Sequence, residues 1–212
     1  MLLKILQGGL NMATKKKTVA NDTPNEISLL NLESEENTMA DTEVKLERLN
    51  NTAKVNFLNT TPTGTSKTWS ILGKGVTSKE NSYGAKTTDE HWIIEENERH
   101  SVDGYALGSD IEQVALKGDP VFAYIDDLMY RMKKGTALET ELLEVFKYRV
   151  SETESTPKYD ARLFKVLVVP NSDTLEGGTA LKIKYKIQVQ GDPTFGTVTF
   201  TNGTPTFTEE TT

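Results

Sequence analysis

The sequence contains no cysteine and only two histidines, His91 and His100. A chain without thiols forms no disulfide, performs no thiol catalysis and offers no thiolate to a metal ion, while its compartment stays open. Neither histidine lies in a His-x-x-x-His or His-Glu-x-x-His spacing, so each is expected to have a structural or solvent-facing role. No apolar run approaches the roughly 20 residues of a membrane-spanning helix, and no membrane insertion is predicted.

The remaining patterns that suggest catalysis are incomplete. Asp126 and Asp127 are adjacent, and neighbouring residues on a helix point about 100° apart, so their carboxylates do not converge. Gly73-Lys74-Gly75 lacks the rest of a phosphate-binding loop, and no serine lies in a Gly-x-Ser-x-Gly elbow. We therefore predict that the protein is not an enzyme and has no catalytic, cofactor or metal site.

Positive charge is also in deficit. The 24 Lys and Arg are outnumbered by 31 Asp and Glu, which gives a formal net charge of −7 at pH 7. Proteins that grip nucleic acid place many Lys and Arg against phosphates, so this balance argues against that class. The 212 residues suit one domain with a core and unstructured ends.

The first 42 residues are predicted to lie outside the folded domain. Residues 1–11 are interpreted as a leader translated from a misplaced start, because Gln7-Gly8-Gly9 can be encoded by a bacterial ribosome-binding sequence shortly before the Met12 codon. The candidate starts are Met1, Met12 and, on a weaker version of the same argument, Met39. Residues 12–42 are polar and aperiodic, as is typical of a flexible arm. Its apolar residues form either part of a solvated tail or a short anchor onto a partner: Ile27, Leu29, Leu30 and Leu32.

The clearest pattern lies in Thr179–Thr201. Five apolar and five polar residues alternate there: Leu181, Ile183, Tyr185, Ile187 and Val189 with Lys182, Lys184, Lys186, Gln188 and Gln190. This period of two predicts a strand with one buried and one wet face. Gly191-Asp192-Pro193 and Gly196 predict a turn, and Val198 and Phe200 predict the second strand of a hairpin.

One helix is predicted, at about Pro120–Lys134. Asp119 is a favourable N-cap, Pro120 suits the first helical position, and Gly135 suits the end. Apolar residues recur at helical spacing: Val121, Ile125, Leu128, Met129 and Met132. Because the helix is single, its stripe must lie against a sheet.

The other segments are predicted to be extended or looped. We expect strands at Trp69–Val76, Leu142–Val150 and, centrally in a sheet, Leu163–Val169, and an exposed loop at Glu95–Asp103. The predicted order of elements is strands, then one helix, then strands. This order predicts a mainly β (α+β) domain over residues 43–201, an antiparallel β-sandwich or barrel with one flanking α-helix and long loops. The Thr-rich residues 202–212 are predicted to be a loose tail.

An ordered set of motifs resembles a known family. The motifs are Glu43-Val44-Lys45-Leu46-Glu47-Arg48-Leu49, Val55-Asn56-Phe57-Leu58, Trp69-Ser70-Ile71-Leu72-Gly73-Lys74-Gly75-Val76-Thr77, Thr87-Thr88-Asp89-Glu90-His91-Trp92-Ile93, Lys117-Gly118-Asp119-Pro120-Val121-Phe122, Lys184-Tyr185-Lys186-Ile187, Gly191-Asp192-Pro193 and Gly196-Thr197-Val198. Together, over about Glu43 to Phe200, they resemble the major tail (tail tube) proteins of long, non-contractile-tailed bacteriophages of Gram-positive hosts.

The resemblance implies a β-sandwich or barrel with one helix, assembled as hexameric rings that stack into the tail tube of a virion. It implies assembly in the bacterial host cytoplasm and a lumen through which DNA passes during ejection. The implied partners are other copies of the chain, a tape-measure protein, and tail terminator and distal tail proteins. Long loops and arms commonly bridge rings in such tubes, and Ser78–Asp103 and the arm before Glu43 are the candidates here.

Within this resemblance, Lys182, Lys184 and Lys186 are candidate subunit contacts. A tube that conducts DNA must not hold it, and a lumen lined by lysines would bind phosphates. We therefore predict that the row faces acidic residues of a neighbouring subunit or the outer surface. The alternative is an ordinary solvated strand face whose lysines discourage stray edge pairing.

Two other classes stay open. One is the tube protein of a prophage-derived or secretion injection device, which shares the architecture. The other is a monomeric adhesin or carbohydrate-binding β-sandwich. The second class needs an exposed aromatic platform, whereas Trp69 and Trp92 are expected in the core.

Overall fold

The computed structural model describes residues 46–151 and 156–210. The predictions for residues 1–11 and 12–42 lie outside them. Two short 3-10 turns, Asn51–Ala53 and Gly135–Leu138, accompany the regular elements. These elements are β1 (Lys54–Asn59), β2 (Trp69–Ile71), β3 (Val76–Ser82), β4 (Ala85–Glu90), β5 (Arg99–Tyr105), β6 (Gly108–Val114), α1 (Pro120–Tyr130), β7 (Glu139–Ser151), β8 (Lys158–Thr174), β9 (Lys182–Thr201) and β10 (Thr204–Glu209).

Eight strands form one antiparallel sheet in the order β2-β1-β7-β8-β9-β6-β3, with β10 paired to β9. Strands β4 and β5 form a separate two-stranded sheet. The first half of β9 pairs with β6 and its second half with β10, while β8 runs beside both halves. The predicted mainly β, antiparallel fold with one helix is confirmed, and the described strands do not close into a barrel.

The predicted hairpin at Thr179–Thr201 is wrong, because β9 is one continuous strand. Leu163 pairs with Thr194 and Lys165 with Gln190, so Gly191-Asp192-Pro193 form a bulge opposite a single residue. Gly191 has φ +73°, which a glycine adopts without strain. A bulge absorbs extra residues without ending the pairing, and two extra residues preserve the alternation of faces.

The chain reverses at Asn202-Gly203 instead, where both φ angles are positive, as in the tight turns that join strands. The prediction of a loose tail at residues 202–212 is corrected over its described part, residues 202–210: β10 pairs with β9, and Pro205 is buried. At Gly196 an added Cβ would collide with the Thr208 backbone and the Phe207 ring. Gly196 therefore serves the close approach of β10 and not a turn.

Helix α1 begins as predicted and ends four residues earlier. The Asp119 side chain accepts a hydrogen bond from the Phe122 N–H at 3.0 Å, which confirms the N-cap. Met132 has φ +46°, and the Lys133 N–H bonds the Leu128 carbonyl at 3.1 Å, an ending of the Schellman type. Met132 consequently points into solvent and not along the apolar stripe.

No helix among the described residues is long and apolar enough to span a bilayer.

The core lies on both faces of the sheet, because consecutive residues such as Leu142 and Leu143 point to opposite sides. One cluster packs α1 against the sheet, as predicted: Leu58, Leu72, Ile111, Val121, Ile125, Leu128, Leu142, Phe164, Val166, Val168, Ile183, Tyr185 and Ile187. The other occupies the opposite face: Phe57, Leu143, Val145, Ala161 and Val198, with Trp69, Phe200 and Phe207 around them. Strand β8 lies between β7 and β9, so the predicted central position of Leu163–Val169 is confirmed.

A buried polar chain crosses the first cluster. The Tyr185 hydroxyl donates to Gln113 Oε1 at 3.0 Å, and Gln113 Nε2 donates to Asp119 Oδ2 at 2.8 Å and to the Lys74 carbonyl at 2.9 Å. Burial raises the pKa of the Tyr185 hydroxyl well above its ordinary value, and the nearby Asp119 adds to this effect. This chain ties the start of α1 to β6, β9 and the β2–β3 turn.

Three extended or looped segments differ from their predictions. The strand expected at Trp69–Val76 is split by a turn between β2 and β3. The loop expected at Glu95–Asp103 contains much of β5. Ser78–Asp103, expected as a long loop, comprises most of β3 and a β4–β5 hairpin. Alternation in these strands is hidden in the sequence because most of their residues are exposed on both faces.

Candidate subunit-contact surfaces

The predicted contact residues Lys182, Lys184 and Lys186 follow one face of β9. Glu112 of β6 lies 3.5 Å from the Lys182 ammonium and 3.3 Å from that of Lys184, and Asp110 lies 3.1 Å from that of Lys186. The strand register brings these groups together, since Glu112 pairs with Lys184 and Asp110 with Lys186. The hydrogen bond from Lys184 is the main cause of a lowered Glu112 pKa.

The acidic partners predicted on a neighbouring subunit are therefore found within the same chain. Opposite charges directly across a strand pair stabilise a sheet, which accounts for lysines at these positions without a second subunit. Whether the row also contacts another copy stays a prediction. Asp110 and Glu112 were missed because their two-residue spacing has meaning only once β6 is known to pair with β9.

A second surface is the projecting β4–β5 hairpin. All of β4 is exposed, and in β5 only Gly104 is partly covered. The hairpin leaves the main sheet at Tyr83-Gly84, where the Ala106 N–H bonds the Gly84 carbonyl at 3.0 Å. A two-stranded ribbon with no buried side of its own is marginally stable alone, so this hairpin would gain stability from a partner.

The tip of the hairpin, residues 91–98, presents apolar side chains to solvent. Ile93 and Ile94 are almost fully exposed and Trp92 is 47 % exposed, so the prediction that Trp92 lies in the core is wrong. The Arg99 guanidinium covers one face of the Trp92 ring at 4.2 Å and also binds the Glu95 carboxylate. A clustered apolar patch of this kind is typical of an interaction site.

Both histidines lie on this hairpin and make polar contacts, as expected for structural or solvent-facing roles. A His91 ring nitrogen lies 2.9 Å from the Glu95 carbonyl, and a His100 ring nitrogen lies 2.7 Å from the Asp89 carboxylate. Ligand atoms of Asp89, Glu98 and His100 lie within 4.8 Å of one another, a spacing that a metal ion can bridge. All three are exposed, and exposed carboxylates commonly gather without a metal.

A third surface is an open groove of about 710 Å³ at the far end of the sheet, where β7 to β10 run side by side. We call it the aromatic groove. Its lining includes four aromatic residues and two arginines: Tyr83, Phe146, Tyr148, Phe195, Arg149 and Arg162. Tyr83, Tyr148 and Phe195 are about half exposed, and sequence periodicity gave no signal that they would meet.

The wall of the groove is held by a buried charge cluster. Glu144 binds Arg162 at 2.8 Å and Lys54 at 3.0 Å, with Lys79 at 3.9 Å. Desolvation opposes ionisation of Glu144, but the three cations outweigh it and lower its pKa. Burial is also the main cause of the lowered pKa of Lys79, which falls to about 8. The cluster fixes the Arg162 guanidinium, 5.0 Å from the centre of the Phe146 ring.

No protein-family model matches the sequence, and no curated protein matches it. Among solved structures, the fold is similar to a chain from "Tail of empty GTA particle computed with helical refinement, C6 symmetry", with a TM-score of 0.50 and 10 % identity over 70 % of this chain and 98 % of that chain. Another similar chain comes from "Cryo-EM Structure of an Extracellular Contractile Injection System, PVC sheath/tube terminator in extended state" (TM-score 0.45, 6 % identity, 71 % of this chain and 98 % of that chain). At such identities the likeness concerns the fold, and the chain shares its fold with a chain of the GTA tail.

Proposed function

We propose that the protein is a structural, non-catalytic subunit of a phage-type tail tube. The observation that carries the proposal is the fold, because the matched region accounts for 98 % of a chain from the GTA tail. That tail has C6 symmetry. By this likeness the subunits form hexameric rings that stack into a tube in the virion tail, with tape-measure, terminator and distal tail proteins as further partners.

Uncovered surfaces of the subunit support assembly. A ring closes when a heterologous contact repeats by rotation, and a tube grows when a second contact repeats along an axis. The projecting hairpin and the aromatic groove offer two different surfaces for such contacts. Among the described strands, β2 and β3 are outermost in the pairing order, and the outer edge of each offers backbone groups for pairing with a neighbouring sheet.

Charge supports passage of DNA through the tube without binding. The net charge of −7 repels phosphates overall. The lysine row is less of an obstacle than its sequence suggests, because Asp110 and Glu112 neutralise two of its three charges. The row therefore carries one net positive charge per subunit, wherever it faces.

A carbohydrate-binding module is the second candidate, because Trp92 is exposed. Arg99 already stacks on one face of this ring, however, which leaves a single face for a sugar. The nearby Ile93 and Ile94 also offer no hydrogen bonds to hydroxyl groups. These contacts favour a protein surface as the partner of the tip.

Sedimentation velocity tests the proposal. The chain has a mass of 23.5 kDa, so six copies give about 141 kDa. We expect species of this mass or larger to grow with protein concentration. Saturable glycan binding by a protein that stays monomeric at every concentration would contradict the tube and support the second candidate.

A further inference from the structure

We propose that the aromatic groove of one subunit receives the β4–β5 tip of a second copy of this chain. The proposal rests on the proposed tube function and names the two surfaces that form one of its contacts. It assigns Ile93 and Ile94 as the inserted side chains. It assigns Tyr148 and Phe195 as the receiving side chains.

The tip is available for such a contact because its own subunit does not cover it. Ile93 and Ile94 keep almost all of their surface exposed, so the tip does not fold back onto the groove of its own chain. The tip is also ordered internally: the Glu95 N–H bonds the Trp92 carbonyl at 2.9 Å, and Arg99 holds both the Trp92 ring and the Glu95 carboxylate. A pre-organised turn loses little conformational freedom on binding.

The groove has the composition and rigidity of a binding surface. Tyrosine, phenylalanine and arginine are enriched at the energetic centres of protein interfaces. The Phe146 and Tyr148 rings pack edge to face at 5.9 Å, and Arg162 is held by Glu144 at 2.8 Å. Tyr148, held in this way, offers an apolar insert a surface whose backbone needs little rearrangement.

Charge selects one orientation of the tip. Residues 89–98 carry five carboxylates: Asp89, Glu90, Glu95, Glu96 and Glu98. In the groove, Arg149 is exposed and lies 3.9 Å from Asp160, a long and weak pairing. Glu209 and Glu210 line the same groove, so the acidic flank of the tip must lie toward Arg149 and away from them.

The positions of the two surfaces favour a contact that repeats head to tail. Tyr83 lines the groove and directly precedes Gly84, where the hairpin leaves the sheet. The groove is therefore at the base of the hairpin and the apolar tip at its far end, about 20 Å away for a strand of six residues. A contact of tip to base is heterologous, so it repeats from copy to copy, around a ring where the rotation closes and along an axis where it does not.

Disulfide trapping tests the contact cleanly, because the chain has no cysteine of its own. We would mix Ile93→Cys protein with tagged Phe195→Cys protein under mild oxidation. Each chain then carries one thiol, so every disulfide joins two chains. The control partner is Leu175→Cys, an exposed residue that directly follows the opposite end of β8. We expect at least tenfold more tagged heterodimer with Phe195→Cys than with Leu175→Cys, and equal yields would overturn the proposal.

Two further variants give an independent readout by sedimentation. Ile93→Ser/Ile94→Ser changes only exposed side chains and should weaken association at least tenfold while the thermal unfolding midpoint stays unchanged. Arg149→Glu should also weaken association, and Glu96→Arg should restore part of it. Wild-type association by the isoleucine variant overturns the groove contact alone. A wild-type chain that never associates overturns the proposed function as well.

Discussion

Gln113 is the residue whose replacement tests the packing of the helix most sharply. Gln113→Leu keeps the side-chain volume close to that of the original. It removes the buried amide, with its donor Nε2 and its acceptor Oε1. The Tyr185 hydroxyl loses its acceptor, and Asp119 Oδ2 keeps only the Phe122 N–H. The other Asp119 carboxylate oxygen already lacks a hydrogen-bond partner among the residues that the structure describes, so the helix start is sensitive to this loss.

The expected cost follows from these contacts. A buried polar group left without a partner costs about 1–3 kcal/mol, and each lost hydrogen bond costs about 1 kcal/mol. We predict that Gln113→Leu lowers the free energy of unfolding by roughly 3 kcal/mol. Tyr185→Phe alone should cost about 1–2 kcal/mol, because Gln113 Oε1 then lacks its donor.

Urea denaturation of the two single variants and the double variant measures the coupling. In the double variant no buried hydroxyl is left without an acceptor. Its loss of unfolding free energy should therefore be smaller than the sum of the two single losses, by about 1 kcal/mol or more. Gln188→Leu, on an exposed position of β9, is the matched control and should change stability by less than about 0.5 kcal/mol. Additive costs, or a Gln113→Leu cost equal to that of the control, would refute the reasoning.

Three other predictions concern the charges and the close strand contact. Burial lowers the Lys79 pKa from 10.5 to about 8, so between these values the unfolded chain binds more protons and stability rises with pH. Lys79→Met should be more stable than wild type at pH 7, by at most about 3 kcal/mol. Urea denaturation should show a smaller difference in stability between the variant and wild type at pH 10 than at pH 7. Gly196→Ala should cost about 1–3 kcal/mol, since a Cβ meets the Thr208 backbone; faster amide exchange confined to β10 would locate the damage. Lys184→Glu should lower the thermal unfolding midpoint, and the double variant Lys184→Glu/Glu112→Lys should restore it. If the midpoint of the double variant is no higher than that of the single variant, the pair does not stabilise the chain.

The elements that were predictable from sequence depend on local chemistry. The start of α1 follows from Asp119 and Pro120, whose effects act within one turn of the chain. The alternation from Ile183 to Ile187 follows from the period of a strand. Both needed no knowledge of distant partners, and both are confirmed.

The errors have a common physical cause, which is pairing between distant segments. Gly191-Asp192-Pro193 has the composition of a turn, and only the register with β8 makes it a bulge. Residues 204–209 of the Thr-rich tail form β10 because β9 continues far enough to pair with them. The aromatic groove and the Gln113 contacts likewise join residues from separate strands, so no single stretch of sequence carries their signal.

The central claim, that the chain assembles as the subunit of a tube, is tested most directly by negative-stain electron microscopy of the concentrated purified protein. We predict rings with six-fold symmetry or stacked tubes. A uniform field of 23.5 kDa monomers at every concentration would contradict the claim.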